Sequence, residues 1–123
     1  MAKSSDAKKH LRESILMSQR VHFYEVLAWS FEIWALVSIN EGNYIHAVTL
    51  MGAVDHFREI TQLPVWDDLH AIILDANLQL HHILGQEVFD QAWNAGVDMS
   101  LDRIAEYAME ETMKEMRTEM VGV

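Results

Sequence analysis

The chain has 123 residues, half of them hydrophobic and 23% charged, with one proline, five glycines and no cysteine. That is a single-domain length with material for one sizeable core, and the missing thiols exclude disulfides, thiolate metal sites and cysteine catalysis. The net charge of −10 is uneven: residues 1–20 hold five basic against two acidic side chains, a balance of +3, and the rest of the chain carries −13. So acidic a body repels phosphate backbones, and no nucleic-acid binding is expected of it. The basic start is expected to be a solvated helix end. No apolar run is long enough to span a bilayer, and Met1-Ala2-Lys3-Ser4-Ser5-Asp6 lacks the apolar segment of a signal peptide; the expectation is a cytoplasmic protein that does not engage a membrane.

Sparse glycine and proline favour long helices. A first, modestly amphipathic helix is predicted from Ser5 to about Ser18, with Leu11, Ile15 and Leu16 on its apolar face and Ser4, Ser5 or Asp6 as candidate caps. The second, about Val21 to Asn40, is apolar almost all round. Tyr24, Leu27, Ala28, Phe31, Trp34, Ala35 and Ser38 follow helical spacing on one side, and Glu25, Trp29 and Glu32 form a narrow outer stripe. A helix this enclosed must be covered on at least two sides, which makes it the core helix.

Gly42 and Asn43 then break the chain, both residues that tolerate the left-handed backbone of a helix C-cap. Tyr44 and Ala47 restart a helix at once, so the flanking helices must form an antiparallel hairpin. The third helix, about Tyr44 to Ile60, turns Tyr44, Ala47, Val48, Met51 and Val54 toward the second, and Gly52 and Ala53 are small enough for close helix approach. Pro64 closes the connection to a fourth helix, about Val65 to Leu84, where Trp66, Leu69, Ile73, Ala76, Leu80 and Ile83 alternate spacings of three and four. Gly85 is expected to end it. A short fifth helix follows from Gln86 to Asn94, ended by Gly96. Ser100 is the N-cap of a last helix that packs Leu101, Ile104, Ala105, Ala108 and Met109 inward and continues with Met113, Met116 and Met120.

The spacing Gly42-Asn43-Tyr44-x-x-Ala47 resembles the inter-helix turn of a tetratricopeptide (TPR) repeat. From about Val21 onward the chain resembles the C-terminal tail of the TPR-like region in bacterial multidomain signalling ATPases, including transcriptional regulators of the LuxR and MalT type. The residues that carry this are Leu50-Met51-Gly52-Ala53-Val54, Arg58-Glu59, Pro64, Leu84-Gly85, Phe89, Ala92-Trp93, Gly96, Met99-Ser100, Asp102, Ala105 and Tyr107-Ala108. Ser38 stands where a TPR repeat usually has tyrosine, so the repeat is degenerate. The resemblance implies an all-α, TPR-like architecture of antiparallel hairpins stacked as a short solenoid. It also implies a protein-interaction role in signal transduction or transcriptional regulation. It does not extend to ATPase or cyclase activity, because the chain has no Gly-x-x-x-x-Gly-Lys-(Ser/Thr) phosphate loop.

One domain is expected over 1–123: a basic N-terminal helix over 1–20, a repeat hairpin over 21–61 and C-terminal helices over 63–120. Catalysis is not expected. No Gly-x-Ser-x-Gly turn is present, Asp67-Asp68 suits the start of a helix, and Ser30 and Ser38 can bond preceding backbone carbonyls. The seven histidines raise an alternative, a small helical ligand or metal sensor. His22 with Glu25, Asp67 with His70, and Asp55, His56 and Glu59 contain pairs that can share a helical face. The sequence lacks a His-Glu-x-x-His or paired Glu-x-x-His motif, so neither metal nor cofactor is expected. The candidate partner-binding residues are Trp29, on the polar stripe of its helix, and Met113, Met116 and Met120, a methionine stripe with little core left to cover it. Burying two such methionines contributes roughly 3–6 kcal/mol before ordering costs. A homodimer in which these residues, with Trp29 as a further candidate, meet a second chain is therefore expected; the competing outcome is that the last helix folds back over its own first hairpin. Light scattering should show wild-type dimers and monomeric Met116→Glu/Met120→Glu; a wild-type monomer at high micromolar concentration would rule it out.

Overall fold

A computed structural model of the chain describes residues 2–63 and 67–110. Five helices follow one another: α1 (Ala2–Val21), α2 (Tyr24–Asn40), α3 (Tyr44–Thr61), α4 (Asp67–Leu84) and α5 (Gln86–Val97). A sixth helical stretch, α6, covers 101–110, and no strand occurs among the described residues. The fold is all-α. Trp66, Met113, Met116 and Met120 lie outside the described residues.

Helix ends account for the layout. At Gly42 (φ +80°) the chain turns left-handed, the Gly42 amide donates to the Ile39 carbonyl (3.0 Å) and the Asn43 amide to that of Ser38 (2.8 Å). This double bond pattern is a Schellman cap, and it returns α3 antiparallel against α2, where Tyr24 meets Phe57 edge-on and Glu32 meets Arg58. The same device ends α1 with a residue that gives no such signal in the sequence. His22 has φ +58°, its amide donates to the Gln19 carbonyl, and the Phe23 amide reaches that of Ser18 at 2.9 Å. As a result α1 is longer than its apolar face predicts at both ends, and Ser4, Ser5 and Asp6 fall within it rather than capping it.

α2 is the core helix, as its composition requires: Leu27, Ala28, Phe31, Trp34 and Ala35 are fully buried. On one side α1 contributes Leu11 and Ile15, with Ser14 Oγ 3.0 Å from Ser30 Oγ, whose other contact is donation to the Val26 carbonyl. The basic start of the chain is not wholly solvated. Lys8 is buried and its ammonium lies 2.7 Å from the Glu41 carboxylate at the end of α2, tying α1 to the turn. Leu16, by contrast, is exposed. α3 is buried continuously from His46 to Val54 between α2 and α5.

Among the described residues α3 and α5 come into backbone contact. A Cβ added to Gly52 would fall on the Trp93 carbonyl oxygen, and one added to Gly96 on that of Thr49. Gly96 was expected to stop the fifth helix. It instead lies inside α5, because its missing side chain serves backbone contact and not a left-handed cap. α4 joins α5 through Gly85 (φ +80°), with the His81 ring stacked on Phe89 at 3.6 Å, but it is the least covered helix. Leu69 and Leu80 are buried, Ile73 and Ala76 pack on the core, and Ile83, expected inside, is half exposed. α6 opens as predicted, with the Arg103 amide donating to Ser100 Oγ at 3.2 Å, and it buries Ile104, Ala105, Ala108 and Met109.

Gly96→Ala should therefore destabilise the protein by about 1–3 kcal/mol or more, since two helix backbones would have to separate. Ser100→Ala, which removes one exposed cap, should cost nearer 1 kcal/mol. Urea denaturation of both variants checks the order; equal losses would contradict the crossing as described.

Candidate functional site

Of the residues singled out as partner-binding, the structure describes one. Trp29 is half-buried on α2, and the stripe assigned to it is not an outer stripe. Glu32, one turn further on, is 5% exposed and lies against Arg58 of α3. Both Nε and Nη2 of Arg58 reach Glu32 Oε1 at 2.5 Å. A carboxylate in an apolar helix is tolerated only with such a partner, because transfer of an unpaired charge out of water is very costly.

This ion pair forms part of a cleft of about 470 Å³ bounded by α2, α3, α4 and α5. α3 supplies Asp55, Arg58 and Glu59, α4 supplies His70, Ile73, Leu74 and Asn77, and Trp93 of α5 lines it together with Met51 and Val54. The cleft exists because α4 packs only partly on the core. Trp93 is half-buried, stacked on Phe89 at 5.7 Å and forming part of the cleft wall. Trp29 is not part of this lining. Sequence reasoning missed the cleft, although a signal was present: Glu32 interrupts an otherwise apolar helix, and Arg58 has no apolar reason to be there.

Burial holds the Glu32 carboxyl above the ordinary glutamate range, an effect that the Arg58 charge and hydrogen bond oppose, with a smaller lowering from His70 and a smaller raising from Asp55. Asn77 adds a second buried polar atom, since its carboxamide oxygen has no hydrogen-bond partner among the described residues. The same holds for Trp34 Nε1 and Ser38 Oγ, which lie in the core of α2.

The histidines are dispersed. His81 stacks on Phe89, His46 on Tyr107 with ring centroids 4.5 Å apart, and His22 meets the edge of Tyr24. Among the described residues no three His, Asp or Glu side chains lie together as a metal site needs, and no helix is long and apolar enough to cross a membrane.

Comparison with known proteins gives a weak relation. The chain is 26% identical over 105 residues to proteins provisionally named HTH-type transcriptional regulators, one from Mycobacterium bovis (strain ATCC BAA-935 / AF2122/97) and others from Mycobacterium tuberculosis strains CDC 1551 and H37Rv. The match takes in 83% of this chain and 12% of each relative, so the chain spans about an eighth of the length of the regulators it resembles. No family model matches the chain, and no solved structure does. It is a helical chain with a regulator-like sequence.

Because the folded state holds a proton on Glu32 more readily than the unfolded chain does, stability should fall as pH rises from the ordinary glutamate range through the raised value. Glu32→Gln should remove that slope. Glu32→Ala should cost about 3 kcal/mol at neutral pH, by leaving Arg58 without its acid in a largely buried position, while Glu32→Leu/Arg58→Met should restore most of the loss. Denaturation across a pH series, with a double-mutant cycle, checks all three.

Proposed function

We propose that the chain is a non-catalytic protein–protein interaction module of bacterial signal transduction or transcriptional regulation, working in the cytoplasm as a TPR-like stack of helical hairpins. The observation that carries this reading is the open cleft among α2, α3, α4 and α5, with apolar side chains on its walls and charged side chains at its edge. Specific recognition sites combine these features: apolar walls supply affinity and a few polar groups fix orientation. The likeness to HTH-type transcriptional regulators supports a regulatory setting. Hairpin stacks suit such a role because their surfaces cannot all be covered from within, and here Ile72, Leu74, Leu78 and Ile83 of α4 remain exposed. The reading assigns the histidines to packing, where His46, His81 and His22 sit against aromatic rings.

A photo-crosslinking residue at Leu74, inside the cleft, should capture a protein from a bacterial lysate, and the same residue at Glu106, on the exposed side of α6, should not. Capture from both positions, or from neither, would count against a cleft-centred interaction module.

A further inference from the structure

The cleft has a definite chemical preference. Asp55 and Glu59 lie one helical turn apart on α3, so they present two carboxylates from the same face, and both are exposed. The positive charge beside them, Arg58, is already bound to Glu32. The Asn77 carboxamide oxygen, in the lining opposite, is a buried acceptor without a donor among the described residues. Ile73, Leu74 and Trp93 make the remaining surface apolar, and Leu78, at 71% exposure, continues that surface one turn beyond Leu74. A volume of about 470 Å³ is at the scale of a small-ligand site, room for a few side chains and not for a whole helix.

We propose that this cleft receives a cationic amphipathic segment of a protein partner. One arginine or lysine of that segment reaches the Asp55–Glu59 edge, and an adjoining apolar side chain seats on Ile73, Leu74 and Trp93. Charge complementarity selects this occupant. An acidic peptide or a nucleic-acid strand would face Asp55, Glu59 and the Glu32 carboxylate, while Arg58, the arginine of the lining, is already held by Glu32. The inference rests on the interaction-module reading and narrows it to a partner class.

Fluorescence anisotropy tests it with three labelled synthetic peptides: an amphipathic Leu/Arg peptide, the same peptide with Glu for Arg, and an Arg/Ser peptide lacking apolar residues. The intact chain should bind the first, bind the second not at all, and bind the third about tenfold or more weakly. Asp55→Lys/Glu59→Lys and, separately, Leu74→Glu should each weaken the first peptide about tenfold or more, and Asp102→Lys on α6 should leave it unchanged. All these positions are exposed, and circular dichroism of each variant should match the wild type. A salt titration of the wild type gives a readout that needs no variant: affinity for the Leu/Arg peptide should fall with salt and level off at the apolar contribution. An equal loss from Asp102→Lys would overturn the proposal in favour of bulk acidity. So would tighter binding of the Glu peptide, or a dimer that Leu74→Glu dissociates in light scattering, which would make a second copy the occupant. If Asp55→Lys/Glu59→Lys still captures the Leu74-crosslinked protein, the partner class is wrong and the module stands. If no peptide binds and Leu74 captures nothing, both fall.

Discussion

The arrangement depends on one contact that has no side chain in it. α3 and α5 meet backbone to backbone, Gly52 against the Trp93 carbonyl and Gly96 against the Thr49 carbonyl. Two helices approach this closely only where neither presents a Cβ at the crossing. With α5 held there, α3 becomes a central helix, buried from His46 to Val54 with α2 on its other side. Phe89 and Ala92 of α5 reach the core, and α6 closes over it with Ile104, Ala105 and Ala108. α4 is what this geometry leaves over: tethered at Gly85 and packed through one narrow face, it stands away from α2 and α3 far enough to leave the cleft.

The Glu32–Arg58 pair belongs to the same economy of space. Where α2 and α3 part toward the cleft, a carboxylate and a guanidinium occupy ground that apolar side chains hold elsewhere along the hairpin. The raised proton affinity of Glu32 indicates that its loss of hydration outweighs the help of Arg58. A pair of that kind adds little net stability compared with apolar packing. It does keep the cleft polar at its base and fixes the orientation of Arg58, and so leaves Asp55 and Glu59 to set the charge of the rim. Lys8 and Glu41 make a comparable tie at the other end of α2, where a buried ammonium fastens α1 to the α2–α3 turn.

Much of the local structure was legible in the sequence. The Gly42 turn, the apolar α2, the inward row Ala47–Val48–Met51–Val54 and the Ser100 cap all follow from single residues acting on their own neighbourhood, and each stands where expected. The likeness to bacterial regulators was legible as a pattern and recurs as a 26% match to HTH-type proteins. The errors share a cause. Gly96 reads as a helix stop and Ile83 as a buried residue only if each helix is considered alone, and Glu32 looks solvent-facing until Arg58, 26 positions away, is brought beside it. The end of α1 was also hidden, since a histidine in the left-handed region leaves no mark in composition.

By itself, then, the sequence determined the helical class, the antiparallel α2–α3 hairpin and most of the core-facing positions of α2 and α3. Periodicity, caps and glycine turns are properties of contiguous residues, and no distant partner is needed to enforce them. Only the tertiary structure decided that Gly52 and Gly96 serve a crossing, that Glu32 is buried against Arg58, and that the cleft runs past Asp55, Leu74 and Asn77 and not past Trp29. Those outcomes depend on which helix faces which and on how closely. That is settled by complementary shape and charge between segments far apart in the chain, a property of pairs of surfaces that no single helix carries.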